Sequence, residues 1–120
     1  MAYDSGLVTH LLELLEPMRG VRGKKMFGGY GIFCNDLMFG LVAEDTLYFK
    51  VDATTIDTYI QRGLEPFVYM APGDKKMTMS YYQAPEEALD NSDEMLQWAE
   101  QAYAVARRAQ AAKPKKKAKK

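Results

Sequence analysis

The sequence is poor in the residues that build disulfides, metal centres and membrane spans. It has one cysteine, Cys34, and one histidine, His10. A single cysteine forms no internal disulfide, so a reducing compartment, the cytoplasm, is the simplest interpretation. No ligand spacing suggests a transition-metal site, and we expect neither metal nor cofactor. No apolar run approaches the roughly 20 residues that span a bilayer, and the N-terminus lacks a secretory signal pattern, so no membrane contact is expected.

The net charge of zero hides a division of charge along the chain. Residues 113–120 include six lysines and no acids, whereas the preceding residues carry ten basic and sixteen acidic side chains, a net charge of −6. We therefore divide the 120 residues into one domain, 1–110, and a disordered lysine-rich tail, 111–120.

Only the tail suits a polyanion, and we expect weak, sequence-independent contact with nucleic acid there. A solvated terminus that aids solubility, or one that folds back on the acidic body, explains the lysines equally well. The candidate nucleic-acid contacts are Lys113, Lys115, Lys116, Lys117, Lys119 and Lys120.

Apolar residues at helical spacing predict three helices, over Asp4–Leu15, Thr54–Gly63 and Ser92–Ala109. Asp4 or Ser5 is the expected N-cap of the first. Thr54 is the expected cap of the second, with Asp57 completing a capping-box-like arrangement. Gly63 suits the left-handed position that closes that helix.

Two dipeptides, Asn35-Asp36 and Glu44-Asp45, read as tight turns between strands, because Asn and Asp tolerate positive φ. The segment Val21–Phe27 is a plausible first strand made weak by its lysines, and the five-stranded order given next does not count it. Strands in runs joined by short turns predict an α+β two-layer sandwich, a mainly antiparallel five-stranded sheet with helices on one face, in the order α-β-β-β-α-β-β-α. The other predicted strands are Tyr30–Asn35, Leu37–Ala43, Thr46–Val51, Phe67–Met70 and Met77–Tyr82.

Two-residue turns would fix the register of the central strands. They pair Ala43 with Thr46, Leu41 with Tyr48, Phe39 with Lys50, Cys34 with Leu37, Ile32 with Phe39 and Tyr30 with Leu41. Because side chains alternate across a sheet, one face would form an ordinary core of Phe33, Met38, Val42, Leu47, Phe49 and Val51. The opposite face would hold Tyr30, Ile32, Phe39, Leu41 and Tyr48.

That second face is too apolar for a solvated surface, so its five residues are candidates for a protein interface, with a second copy or another protein. A bulge at Gly40 or a longer turn would instead shift the register and mix the two faces.

The segment Lys25–Phe33, KMFGGYGIF, resembles the signature of the TfoX/Sxy N-terminal domain, whose motif falls here on Met26, Phe27, Gly28, Gly29, Tyr30 and Gly31. Similar motifs follow in order: MFGL at 38–41, DTLYFKV at 45–51, GLEPF at 63–67 and MSYY at 79–82. The resemblance covers residues 4–109. It implies a bacterial regulator of natural competence, a co-activator that assists the cyclic-AMP receptor protein at some promoters. The best-known members carry a second, C-terminal domain, whereas here a lysine tail follows. The resemblance implies no catalytic residues.

Other motifs have ordinary structural explanations. The glycines at 28–31 precede a strand rather than a helix, which favours a bend or close backbone approach over a phosphate loop. His10 reads as a solvated helix residue, and nothing in the sequence marks Cys34 as an activated nucleophile. Of Tyr81 and Tyr82, a conceivable base-stacking pair, only one can face the helices.

We therefore expect a non-enzymatic regulatory module that binds protein, with transcription regulation as the implied role. The alternative is a small ligand-binding domain or enzyme that uses the cleft between sheet and helices. A pocket with converging polar residues would favour that alternative.

Overall fold

The computed structural model describes residues 5–26, 29–71, 73 and 75–112. It contains three α-helices, six strands and one short 3-10 helix, which we call η1. In chain order they are α1 Ser5–Leu14, β1 Val21–Met26, β2 Gly29–Cys34, β3 Leu37–Ala43, β4 Thr46–Lys50, α2 Ile56–Gln61, β5 Pro66–Ala71, β6 Lys75–Gln83, η1 Glu86–Leu89 and α3 Ser92–Ala112.

The strands form one sheet in the order β1-β2-β3-β4-β6-β5, with every neighbouring pair antiparallel. The predicted α+β two-layer class is confirmed. The sheet has six strands rather than five, because the lysine-bearing segment from Val21 pairs along its full length with β2. At an edge position its charged side chains reach solvent, so they do not prevent pairing.

Both predicted turns are present. Asn35 and Asp36 have φ of 51° and 69°, and Glu44 and Asp45 have φ of 51° and 60°. Two consecutive positive φ values suit the right-handed twist of the flanking strands, which is why short hairpins use them.

The predicted N-cap of α2, Thr54, is wrong. The helix begins after Thr55, and Thr54 instead turns towards Asp52, whose carboxylate accepts hydrogen bonds from the Thr54 amide at 3.0 Å and hydroxyl at 2.7 Å. The other end is as predicted. Gly63 has φ of 76°, and the Leu64 amide donates to the Tyr59 carbonyl, which closes the helix in a Schellman arrangement.

Two further helix predictions differ slightly at their ends. Asp4, a candidate cap of α1, lies outside the described residues, and Ser5 is already the first helical residue. α3 continues past Ala109 to Ala112, so the helix crosses the predicted domain boundary at residue 110.

The core lies between the helices and one face of the sheet. α3 packs there with small residues, and Ala99 and Ala102 are 0% and 1% exposed, which lets the helix approach the strands closely. Phe39 contacts Phe49 at 6.5 Å and Tyr103 at 6.1 Å between ring centroids, joining the sheet to α3.

Gly29 explains part of the glycine-rich motif. A Cβ at this position would stand 2.1 Å from the Val42 carbonyl oxygen on β3, so only glycine allows the two strands to pair here. Gly29 thus allows a close backbone approach, while Phe27 and Gly28 lie outside the described residues.

Candidate protein-binding face

A β-bulge decides which side chains face away from the helices. Phe33 on β2 pairs with Met38, but the next residue, Ile32, pairs with Gly40, so Phe39 is an extra residue on β3. The bulge occurs beside Gly40, where the sequence left a register shift open. Beyond it the predicted pairs of Ile32 with Phe39 and of Tyr30 with Leu41 are wrong, because Ile32 pairs with Gly40, and Tyr30 with Val42.

The register at the other hairpin is as predicted. Ala43 pairs with Thr46 and Leu41 with Tyr48. The ladder ends at Gly40 and Phe49, one residue short of the predicted Phe39–Lys50 pair.

Three of the five predicted interface residues consequently lie under the helices. Ile32 and Phe39 are 1% and 0% exposed, and Tyr30 packs against the same core. Their placement on an open face was wrong, because the bulge turns Phe39 towards α3. Leu41 and Tyr48 remain on the face opposite the helices.

Two residues that the sequence assigned to the core, Phe33 and Met38, lie on the face opposite the helices instead. Phe33 and Met38 are half-buried and lie outside the hydrophobic core cluster. Their pairing before the bulge keeps them on the side opposite Phe39. The remaining core assignments are confirmed, and these are Val42, Leu47, Phe49 and Val51.

We call this side of the sheet the outer face, and its residues are Phe33, Met38, Leu41, Tyr48, Lys50, Phe67 and Tyr81. Tyr48 and Phe67 make an edge-to-face contact at 5.1 Å between centroids. The Tyr81 hydroxyl reaches across β4 and donates to the Met38 carbonyl at 3.4 Å, while the Lys50 ammonium lies 5.2 Å from the Tyr81 ring centre. The outer face is thus an ordered aromatic layer.

Burial is uneven across the outer face. Leu41 and Tyr81 are only 5% and 4% exposed, although no helix covers them among the described residues. Their own neighbours in the aromatic layer shield them. Phe33, Met38, Tyr48 and Phe67 keep part of their surface in water.

Both outer-face tyrosines are held neutral. Burial raises the pKa of Tyr81 to about 12. Burial also raises the pKa of Tyr48, and the nearby carboxylates Glu44 and Glu65 add to the effect. At physiological pH both tyrosines are therefore uncharged phenols.

Comparison with known proteins decides the family. The model of the TfoX N-terminal domain matches residues 13–106, most of the described part of the chain. The chain belongs to the TfoX N-terminal domain family. A search of curated proteins found no match to this TfoX N-terminal domain.

In this TfoX N-terminal domain the contacts of the single cysteine and the single histidine are typical of structural residues rather than catalytic ones. Cys34 is 2% exposed, and its thiol donates to the Arg19 carbonyl at 3.4 Å. Burial raises the pKa of the Cys34 thiol, which opposes thiolate chemistry. His10 is exposed, as predicted, and its Nε2 lies 2.9 Å from the Leu89 carbonyl oxygen.

Two of the concave regions of the TfoX N-terminal domain lie away from the outer face and hold charged side chains. One, of about 620 Å³, is bordered by Asp45, Glu86 and Glu87, with Arg62 paired to Glu87 and placed over the Trp98 ring. Arg62 is the only cationic residue among the described residues that line this groove, and its charge is already paired with Glu87. The other, of about 440 Å³, lies beside Cys34 and contains two arginines.

Other predicted features have mixed outcomes. Tyr82 packs against the core while Tyr81 lies on the outer face, so one tyrosine of the pair faces the helices, as predicted. The tail lysines, residues 113–120, lie outside the described residues. Across the described ranges, no group of His, Cys, Asp and Glu side chains could hold a metal ion. None of the described helices is both long and apolar enough to cross a membrane.

Proposed function

We propose that this TfoX N-terminal domain is a non-enzymatic, cytoplasmic regulatory module that binds protein through its outer face, with a second copy of the chain as its first partner. The observation that carries the proposal is the aromatic layer, in which Phe33, Met38, Tyr48 and Phe67 remain partly exposed on one continuous side of the sheet. Aromatic residues and methionine are the types enriched at the centres of protein interfaces.

A second copy suits this surface for a geometric reason. A two-fold interface places the same patch against itself, so residue i of one copy faces residue j of the other and j faces i. The outer face as defined above is made mostly of aromatic and apolar side chains, with Lys50 as its one charged member, so few charges have to be matched across such an interface. Each 40 Å² of apolar surface removed from water contributes about 1 kcal/mol, before the cost of association.

The regulatory role follows from family membership. The resemblance to competence co-activators favours transcription regulation alongside the cyclic-AMP receptor protein, and we extend that role to this chain as part of the proposal. In that scheme the outer face provides self-association, and the lysine tail adds sequence-independent phosphate contacts.

Sedimentation velocity tests the interface directly. We expect the wild type to sediment as a dimer and Tyr48→Glu to sediment as a monomer, because burying a new carboxylate among aromatic and apolar side chains carries a desolvation penalty. Ile60→Glu is the matched control, since Ile60 is 52% exposed on α2, away from the outer face.

The melting temperature of Tyr48→Glu separates a lost interface from a lost fold. A monomeric variant that melts within a few degrees of the Ile60→Glu control supports the interface. A wild type that remains monomeric at about 100 µM would contradict self-association, because stable dimers have dissociation constants far below that concentration.

A further inference from the structure

The pocket beside Cys34 is built from three separate parts of the chain. The α1–β1 loop supplies Arg19, the β2–β3 turn supplies Asn35, and α3 supplies Tyr103 and Arg107. Its volume of about 440 Å³ lies within the range of small-molecule sites. It is a cleft between sheet and helix, distinct from the outer face.

The floor of the pocket is held by side-chain hydrogen bonds. The Asn35 amide donates to the Tyr103 hydroxyl at 3.3 Å and to the Cys34 sulfur at 3.5 Å. The Asn35 backbone amide also donates to the Gly20 carbonyl at 3.3 Å. Gly20 has a φ of 86°, a left-handed conformation that favours glycine at this position. A floor tied in this way needs little ordering when a ligand binds.

The two arginines of the pocket differ from the other described arginines. Arg22, Arg62 and Arg108 each pair with a carboxylate. Arg19 and Arg107 have no carboxylate within 4.0 Å in the described ranges. The Arg107 guanidinium lies 6.0 Å from the centre of the Tyr103 ring, which orients it beside the pocket.

The charge balance of the lining favours an anion. Two guanidinium groups face one carboxylate, that of Glu100, which leaves a net charge of +1 among the lining residues. The thiol of Cys34 adds no negative charge, because burial raises its pKa. The Tyr103 hydroxyl accepts the Asn35 hydrogen bond and lies close enough to the Cys34 sulfur to lower the thiol pKa against the larger effect of burial, so a bound phosphate would accept the hydrogen bond of the hydroxyl in place of the thiol.

We propose that this pocket binds a phosphate group, held by the guanidinium groups of Arg19 and Arg107 and by the hydroxyl of Tyr103. Guanidinium groups bind phosphate oxygens through paired hydrogen bonds. The proposal does not rest on the outer face or on self-association.

The phosphate could belong to a small phosphorylated molecule or to a nucleic-acid backbone. Arg107 lies near the end of α3, and the six lysines of residues 113–120 follow that helix in sequence, which makes a nucleic-acid backbone one candidate source. The two sources share the same chemistry at the pocket, and separate titrations distinguish them.

The first experiment titrates the full ¹⁵N-labelled chain with inorganic phosphate, with sodium chloride holding ionic strength constant. We expect saturable shifts at Asn35 and Tyr103. Arg19→Gln and Arg107→Gln should each weaken binding about tenfold, the lower end for a charged hydrogen-bonding group. Arg22→Gln is the matched control, because it removes the same charge outside this pocket and should leave the affinity unchanged.

A variant that is expected to bind phosphate more tightly tests whether misfolding explains the losses of affinity. Glu100→Gln should strengthen phosphate binding several-fold, because it removes the one lining carboxylate. The proposal is overturned if about 50 mM phosphate, enough to fill a millimolar site, leaves Asn35 and Tyr103 unshifted. It is equally overturned if Arg22→Gln weakens binding as much as Arg19→Gln does.

A second titration identifies the source of the phosphate. If a short DNA duplex displaces inorganic phosphate from the pocket, and Arg19→Gln weakens that displacement, the site takes backbone phosphate. If phosphate binds but the duplex does not displace it, the site takes a small phosphorylated molecule. Either result supports the phosphate site, whereas binding of neither probe at Asn35 and Tyr103 removes it.

Discussion

The Arg108 guanidinium donates a 3.0 Å hydrogen bond to the Asp52 carboxylate and so ties the end of α3 to the segment that leads into α2. A second donation from Arg108, to the Thr54 hydroxyl at 3.0 Å, completes a small network. The Thr54 hydroxyl and then Arg108 lower the pKa of Asp52, against an opposing effect of burial. The carboxylate is therefore favoured in the folded state.

This network predicts a pH-dependent coupling. A double-mutant cycle with Asp52→Asn and Arg108→Gln should give a coupling free energy of about 0.5–1 kcal/mol at pH 7, typical of a partly exposed ion pair. A carboxyl whose folded pKa is depressed stabilises the fold above its unfolded pKa of about 3.9, and loses that contribution as pH falls through the folded value.

Urea unfolding of the four proteins at pH 7 and near pH 3 measures that coupling. The same cycle with Asp36→Asn and Arg22→Gln is the control, because that pair is 3.8 Å apart and highly exposed. A coupling at Asp52 that persists unchanged near pH 3 would contradict the electrostatic explanation.

Two glycines should respond very differently to alanine. Gly29→Ala places a Cβ against the Val42 carbonyl oxygen, so the central strands must separate, and we expect a loss of more than about 2 kcal/mol of unfolding free energy. Gly63→Ala meets no atom within 4 Å, and only its φ of 76° is unfavourable. Its expected cost is about 1 kcal/mol.

Chemical denaturation of both alanine variants checks this order. Equal losses at the two positions would mean that the strands relax around the new methyl group, and that Gly29 is not required for their approach.

Local chemistry explains which parts of the fold were predictable. The turn at Asn35-Asp36 and the closing glycine of α2 depend on residues that tolerate positive φ, and such preferences are visible in the sequence. The cap of α2 was less predictable, because Thr54 and Thr55 are equivalent in sequence. Only the placement of Asp52 decides between them.

The outer face was predicted only in part because a bulge depends on distant packing. Strict alternation places Phe39 with Leu41, but Phe39 fills space between Phe49 and Tyr103, a residue far along the chain. The extra residue then exposes Phe33 and Met38 instead. Gly40, beside a bulky pair of apolar residues, was the available signal, since glycines in strands often mark bulges.

Loss of the hydroxyl group should affect the stability of the fold differently at two buried tyrosines. The Tyr59 hydroxyl is buried with no hydrogen-bond partner among the described residues. Tyr59→Phe should therefore leave the melting temperature unchanged or raise it, since no bond is lost and an unsatisfied polar group is removed. Tyr81→Phe removes the bond to the Met38 carbonyl and should cost about 1 kcal/mol.

Thermal unfolding of the two phenylalanine variants, measured side by side, separates these effects. A clear loss of stability in Tyr59→Phe would show that its hydroxyl has a partner, such as an ordered water, that stabilises the fold.

The lysine tail gives the last prediction, which concerns salt. Binding of the full chain to duplex DNA should weaken with a log–log salt slope of about −5, because six lysines displace counterions from six phosphates. Truncation after Ala112 should remove most of that slope, and any remainder that disappears in Arg19→Gln would come from the pocket rather than the tail. The truncated protein should melt within a few degrees of the full chain, because the last buried side chain of α3 belongs to Ala106. Fluorescence anisotropy at several salt concentrations measures the slope. A truncated chain that keeps the full slope would place the nucleic-acid contacts on the acidic body, where simple electrostatics does not favour them.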